Sequence, residues 1–173
     1  IFFSLVTFNH TLADIQPLIS SIYLLSKISP YIITLSVWDN SSYSKDMYIA
    51  SKQQNFVYFS SKRNLGFSAG HNSNIEANSL SLDDNSVIVI VNPDISFDSS
   101  VLMFFDWFCS VSSFVSCSSP LIRGVQNELQ MTVKTNPTLL TLFLGRFQFF
   151  TRYRLLGDYY TRHINGSIDY TSN

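Results

Sequence analysis

Short runs of β-branched and aromatic residues alternate along the chain with segments whose apolar residues recur at helical spacing. Residues 1–8 are rich in such residues and predict a buried strand. Residues 12–27 carry leucine or isoleucine every three or four positions, which predicts a helix capped by Thr11. The same alternation predicts strands at 31–38, 55–60, 86–91 and 113–118, and helices at 43–53, after Gly66 and at 99–109. We therefore expect an α/β fold with an open, mainly parallel sheet flanked by helices.

The pattern changes towards the C-terminal part of the chain. Residues 124–136 are polar and loop-like, whereas residues 138–163 are rich in leucine, aromatic residues and arginine. The second stretch predicts one or two amphipathic helices interrupted by glycines. We accordingly expect an α/β region over 1–122 and a basic, aromatic, mostly helical segment over 123–173.

Charge is unevenly distributed, although the whole chain has a formal net charge of only −1. Residues 1–122 hold 5 basic and 9 acidic side chains, and residues 123–173 hold 6 basic and 3 acidic ones. This balance gives no electrostatic reason to expect nucleic-acid binding. The basic excess leaves two interpretations of 138–163: helices whose arginines rest on an anionic membrane surface, or a helical cover with its apolar face on the domain. The sequence has no uninterrupted run of about 18–20 apolar residues, the length of a membrane span.

The chain has two cysteines, which limit its redox and metal chemistry. Cys109 and Cys117 are too few for a disulfide framework or a four-ligand zinc site. We expect them to pack as small hydrophobic residues in a reduced, cytoplasmic protein.

Polar clusters follow three of the predicted strands. Asn9-His10 comes after the first strand, Asp39-Asn40-Ser41-Ser42 after the second, and Asn92-Pro93-Asp94 after the strand at 86–91. Open parallel sheets bind ligands beyond the carboxyl ends of their strands. The three clusters are therefore expected to converge on one crevice.

Two aspartates in these clusters each have two interpretations. Asp39 is either an acceptor for a base N–H or a ribose hydroxyl, or part of an Asp-Asn-Ser turn that binds its own backbone. Asp94 is either a ligand for Mg²⁺ or Mn²⁺, which take few protein carboxylates and complete their shell with phosphate and water, or a residue of a strand-end turn.

The segment from Asn64 to Asn72, NLGFSAGHN, is the third candidate. Gly66 and Gly70 allow a close backbone approach, and amides at a helix N-terminus attract phosphate. The segment is neither a Walker A loop nor a GxGxxG motif. The alternative is a glycine-containing helix start that packs against the sheet.

Taken in order, four segments resemble the family 2 glycosyltransferases, and within them the rhamnosyltransferase-like branch. The segments are Val6-Thr7-Phe8-Asn9, Trp38-Asp39-Asn40-Ser41-Ser42, Asn64 to Asn72 and Asn92-Pro93-Asp94. The resemblance implies a GT-A fold with a nucleotide-sugar crevice. It also implies that Asp39 binds the base and that Asp94 coordinates Mg²⁺ or Mn²⁺ on the diphosphate. The implied nucleotide-sugar-binding residues are Thr7, Asn9, Asp39, Asn40, Asn64, Gly66, Gly70, Asn72 and Asn92.

The resemblance further implies an inverting transfer of a hexose, with rhamnose as one candidate. The donor would be a dTDP-, UDP- or GDP-linked sugar, and the acceptor a lipid-linked saccharide of a bacterial surface polysaccharide or lipopolysaccharide O-antigen. The reaction would take place in the cytoplasm, with peripheral membrane contact through 138–163. No segment matches the family's acidic motif, because Asp158 and Asp169 lack its surroundings. We therefore expect the general base beyond Asn173.

Two alternatives remain for the activity. One is a truncated, catalytically inactive nucleotide-sugar-binding module. The other is a nucleotidyltransferase or a different nucleotide-binding α/β domain. That class needs a basic, glycine-rich loop after the first strand, where Asn9-His10-Thr11 provides none, so we rank it last.

Overall fold

The computed structural model describes residues 1–61, 63–111 and 113–130, with the backbone alone for the last two. The helices predicted at 138–163 lie outside these residues. Contacts divide the chain into two compact units, Ile1–Trp107 and Phe108–Asn173.

The first unit contains the predicted alternation of strands and helices. Its strands are β1 (Phe2–Thr7), β2 (Thr34–Asp39), β3 (Val57–Ser60) and β4 (Ile88–Val91). Its helices are α1 (Leu12–Ile28), α2 (Lys45–Gln54) and α3 (Phe67–Ala77), followed by one 3₁₀ turn at Ser79–Ser81. Helix α4 (Val101–Val111) begins in the first unit and ends in the second, where β5 (Ile122–Arg123) pairs antiparallel with β6 (Leu129–Gln130).

The four strands of the first unit form a parallel sheet in the order β3-β2-β1-β4. In this sheet Phe2 lies opposite Thr34 on one side and Ile88 on the other. The chain adds β2 and β3 outwards from β1 and then returns to place β4 on the free side of β1. The predicted open, parallel sheet flanked by helices is confirmed.

Two expectations from the sequence are wrong. Residues 113–118 contain no strand, because Phe114 is 90% exposed and the serines around its apolar residues leave no face to bury. Cys109 and Cys117 are exposed rather than packed as small hydrophobic residues.

The main core lies between one face of the sheet and helices α1, α2 and α4. Alternate residues of the central strands, such as Phe3 and Leu5, are fully buried there, as the two-residue period of a strand requires. The ring of Phe3 meets Phe105 of α4 edge-on, with centroids 5.9 Å apart. Burying one such side chain contributes roughly 1.5–3 kcal/mol, so these contacts hold the layers together.

Helix α3 covers the other face of the sheet at β1 and β2. Gly70 makes this close packing possible, since a Cβ on it would lie 2.9 Å from Cγ1 and 3.0 Å from Cγ2 of Val6. The packing interpretation of this glycine is therefore supported by geometry.

Replacing Gly70 by valine is expected to destabilise the fold by about 2 kcal/mol, because the added branches overlap Val6. Urea unfolding followed by circular dichroism measures the change. The matched control is Ser68→Val on the exposed side of the same helix, which carries the same β-branched penalty without the overlap. Equal losses of stability in the two variants would contradict the packing interpretation.

Candidate functional site

The carboxyl ends of all four strands lie at the same edge of the parallel sheet. The chain passes from β3 back to β4 on the other side of β1, so the crevice between the ends of β1 and β4 is a topological switch point. Asn9 follows β1, Asp39 ends β2, and Asn92 and Asp94 follow β4. The three polar clusters found in the sequence therefore border one edge.

Asp39 is, with Thr7, among the most enclosed polar residues at this edge. Its side chain is only 1% exposed. Oδ1 accepts hydrogen bonds from the Thr7 hydroxyl at 3.2 Å and the Ser41 N–H at 3.0 Å, and Oδ2 accepts one from the Tyr58 hydroxyl at 2.9 Å. A buried carboxylate without such donors would be strongly unfavourable. The Ser41 bond is the one that the turn interpretation predicts, whereas the other two bonds join three neighbouring strands at one side chain.

Tyr58 on β3 was not identified from the sequence. Its hydroxyl donates to Asp39 and accepts from the Ser44 N–H at 3.1 Å. Burial is the main cause that raises the pKa of Tyr58 to about 12, and the adjacent Asp39 carboxylate adds to it. The hydroxyl consequently stays protonated, and a donor, at any physiological pH. Only the pairing of β2 with β3 could have indicated this residue, because 19 positions separate it from Asp39.

Asn40 connects the end of β2 to the start of α3. Its Nδ2 donates to the Gly66 carbonyl at 3.0 Å, and its Oδ1 accepts from the Leu65 N–H at 3.3 Å. Gly66 is the N-cap of α3 and has a φ of 79°, a conformation that favours glycine. No side chain caps the first turn of α3. Asn40 therefore fixes the position of this turn. Its side chain bonds backbone groups and is only 3% exposed.

The remaining residues of the predicted nucleotide-sugar set differ in their exposure. Thr7 is 1% exposed, and its hydroxyl donates to Asp39. Asn9 is exposed, has a φ of 57° and donates its N–H to the Ser41 hydroxyl at 2.6 Å. The other exposed residues of the set are Asn64 and Gly66 at the start of α3, Asn72 in the middle of α3, and Asn92 after β4.

Asp94 is exposed beyond the carboxyl end of β4. Within the described part of the chain, no group of three or more His, Cys, Asp or Glu side chains is arranged to hold a metal ion. A single carboxylate is the kind of ligand that a hard cation such as Mg²⁺ takes from a protein, with phosphate and water completing its shell.

His71 lies beneath α3 instead of at the crevice. Its Nδ1 is 2.8 Å from the Ser4 hydroxyl, and that hydroxyl accepts from Asn74 Nδ2 at 2.9 Å. Asn74 Oδ1 in turn accepts from the Ser36 hydroxyl at 2.6 Å. Because Asn74 donates to the Ser4 hydroxyl, that hydroxyl donates to Nδ1, which assigns the proton of the neutral ring to Nε2. Nε2 is buried without a hydrogen-bond partner among the described residues. Burial lowers the pKa of His71, so the imidazole is neutral in the folded protein at pH 7.

A second concave region lies at the opposite end of the strands. This groove has a volume of about 410 Å³, and its lining includes Thr34, Lys52 and Val57. None of the residues predicted to bind the nucleotide sugar or the metal lines it. Tyr58, which donates to Asp39, is one of its lining residues, so the groove adjoins the candidate site at that side chain.

Among the described residues, no helix is long and apolar enough to cross a membrane. The membrane contact predicted through 138–163 falls outside those residues.

Comparisons with known proteins support the fold. No protein-family model matches the chain, and no curated protein matches its sequence. The crystal structure of S. aureus TarS matches with a TM-score of 0.52 at 15% identity, over 79% of this chain and 24% of the TarS chain. The crystal structure of S. aureus TarS 1–349 matches with a TM-score of 0.44 at 16% identity, over 65% of this chain and 33% of that one. The first match confirms the predicted GT-A-like class, and the chain spans about a quarter of the protein it matches.

The stability of the protein is expected to fall below about pH 6.5, in part because of His71. The folded state lowers the pKa of this ring, so the unfolded chain takes up the proton first as the pH falls. The contribution is complete above the unfolded pKa and is lost as the pH falls towards the folded one. We expect His71→Gln to reduce the difference between unfolding free energies measured in urea at about pH 7.5 and about pH 5.5. His10→Gln is the control outside the buried layer, and an undiminished difference in His71→Gln would contradict the assignment.

Proposed function

We propose that this chain is the donor-binding part of a glycosyltransferase that uses a nucleotide diphosphate sugar. The observation that carries the proposal is the buried Asp39 carboxylate at the carboxyl edge of an open parallel sheet, beside a topological switch point. The matched protein TarS is a glycosyltransferase, which favours this activity over other uses of the same fold. Fold alone does not decide between activities, whereas the residues at the edge of the sheet bear on the chemistry directly.

Asp39 would accept a hydrogen bond from the base. A carboxylate is an acceptor only, and uracil, thymine and guanine each present an N–H donor on the edge that pairs with other bases. Thr7 and Tyr58 would hold the carboxylate in place, and Asn9 would line the adjoining pocket with its exposed amide.

The start of α3 would hold the diphosphate. Its first backbone N–H groups lack a side-chain cap, and the positive end of the helix dipole favours negative charge there. Asn40 sets the position of this turn by bonding Leu65 and Gly66. Asn64 is exposed just before this turn, where its Oδ1 accepts from the Gly66 N–H at 2.8 Å, and Asn72 is exposed in the middle of α3.

Asp94 would hold Mg²⁺ or Mn²⁺ against the diphosphate, with Asn92 beside it. When bound, such a cation neutralises the charge that develops on the leaving diphosphate. By coordinating the cation from its place beyond β4, the carboxylate of Asp94 would orient the donor. Direct displacement at the sugar also requires a base that takes the acceptor proton, and none of the residues described here is assigned that role.

The finer features of the proposal come from the resemblance to the rhamnosyltransferase-like branch. They are a hexose such as rhamnose, inversion at the anomeric carbon, and a lipid-linked acceptor of a bacterial surface polysaccharide or O-antigen. A cytoplasmic location with peripheral membrane contact through 138–163 belongs to the same proposal.

Thermal unfolding with Mn²⁺ and each of dTDP, UDP and GDP tests the donor site. A nucleotide at about 100 times its Kd should stabilise the protein by roughly 2.7 kcal/mol, seen as a rise in Tm. Most of the rise should depend on the metal, so the same panel with chelator is the control. Nucleotide binding without any measurable sugar transfer would favour the alternative of a catalytically inactive nucleotide-sugar-binding module. No shift with any nucleotide, in a protein that unfolds cooperatively, would contradict the proposal.

Asp94→Asn is expected to remove the metal-dependent part of this stabilisation, because an amide is a far weaker ligand for a hard cation. The affinity for nucleotide without metal should stay the same. Asp84→Asn is the matched control, since it removes the same charge from an exposed position before β4, at the other end of that strand. Full metal-dependent stabilisation in Asp94→Asn would remove this residue from the site.

A further inference from the structure

The hydroxyl of Tyr58 connects three parts of the candidate site. It donates to Asp39 Oδ2 at 2.9 Å and accepts from the Ser44 N–H at 3.1 Å. Ser44 is the N-cap of α2, and its own hydroxyl accepts from the Met47 N–H at 3.3 Å. One oxygen on β3 thereby ties the carboxylate that ends β2 to the start of the next helix.

We propose that Tyr58 is a positioning residue that holds the Asp39 carboxylate so that Oδ2 keeps one acceptor position for the base of the donor nucleotide. The proposal rests on the proposed function. It goes further by assigning a role to a residue outside the four segments that resemble the glycosyltransferase family. It also predicts which class of base the site prefers.

The hydrogen bonds of Asp39 show which position is open. The two oxygens of a carboxylate offer about four acceptor positions in total. Oδ1 already accepts from Thr7 and Ser41, whereas Oδ2 accepts from Tyr58 only. Among the described residues, one position on Oδ2 is thus left. The side chain is 1% exposed, so a base can reach this position only through a small opening at the end of β2.

The ring of Tyr58 also has an aromatic neighbour. Tyr43, in the loop after β2, meets it edge-on with centroids 6.2 Å apart, and Tyr48 of α2 meets Tyr43 at 5.9 Å. The hydroxyl is also a donor throughout the physiological range, because burial raises the pKa of Tyr58 to about 12. The Oδ2 position that it occupies is therefore filled at every working pH.

A single open position selects among bases by the number of donors they present. Uracil and thymine offer one imino N–H on their pairing edge. Guanine offers two adjacent donors, which match both oxygens of a free carboxylate, but Oδ1 is filled here. Guanine would leave one donor unpaired in the site, which we expect to weaken its binding on the order of tenfold relative to the pyrimidines.

The test measures the dissociation constants of UDP, dTDP, GDP and inorganic diphosphate by calorimetry with Mn²⁺. The unchanged protein is compared with Tyr58→Phe and with Tyr48→Phe. The control tyrosine contacts Tyr43 but not Asp39. Tyr58→Phe should weaken UDP and dTDP on the order of tenfold and reduce the preference over GDP. Its affinity for diphosphate, which has no base, should be unchanged, and Tyr48→Phe should behave like the unchanged protein.

The outcomes separate the two proposals. If the unchanged protein binds none of the nucleotides, the proposed function fails and the role of Tyr58 fails with it. If it binds them but GDP is bound as tightly as UDP, the inference alone is overturned; this arm needs no variant and stands even if Tyr58→Phe does not fold. Equal weakening of diphosphate and UDP in a folded Tyr58→Phe would show a general structural role and would likewise overturn it.

Discussion

The parallel pairing of β1 with β2 on one side and β4 on the other is the constraint from which the candidate site follows. Adjacent strands lie about 4.8 Å apart, so the ends of β2 and β4 are separated by roughly 10 Å across β1. That distance is comparable to the length of a nucleoside diphosphate. If β4 had joined the sheet beyond β3, Asp94 would lie outside the crevice that begins at Asp39. Strand order, more than any single side chain, therefore supports placing a base acceptor and a metal ligand at opposite ends of one ligand.

The two faces of the sheet differ in polarity. The face towards α1, α2 and α4 is a hydrophobic core, whereas the face beneath α3 carries a polar layer in which Ser4 and Ser36 are neighbours in register. Asn74 bonds both serines, which offsets the cost of desolvating these groups, whereas His71 Nε2 is buried there without a hydrogen-bond partner among the described residues. Because these hydrogen bonds are directional, the layer fixes the rotation of α3 on the sheet. Gly70 and the start of α3 are thereby brought to the crevice in one orientation.

The hydrophobic pattern was sufficient to predict the elements that matter for the site. The strands at 1–8 and 86–91 and the helix at 12–27 were found because their apolar periodicity is long and regular. The prediction of a strand at 113–118 was wrong, because a short apolar run does not form a strand unless its side chains can be buried against another element. Tyr58 and the His71 layer could not be predicted, because they depend on which strands pair and in which register. Pattern specifies elements, whereas hydrogen-bond partners far apart in sequence come only from the assembled sheet.

Asp39 shows why a turn and a binding residue are not exclusive interpretations. The Ser41 N–H bond makes Asp39 a turn residue, and the Thr7 and Tyr58 bonds make it a link between three strands. A carboxylate held by three donors cannot rotate freely, so its remaining acceptor position has a fixed direction before any ligand arrives. Preorganised acceptors of this kind lose little entropy on binding. The structural role of Asp39 is therefore a reason to expect that it binds a base tightly and selectively. Burying the carboxylate costs free energy, but the same burial fixes the direction of its remaining acceptor position.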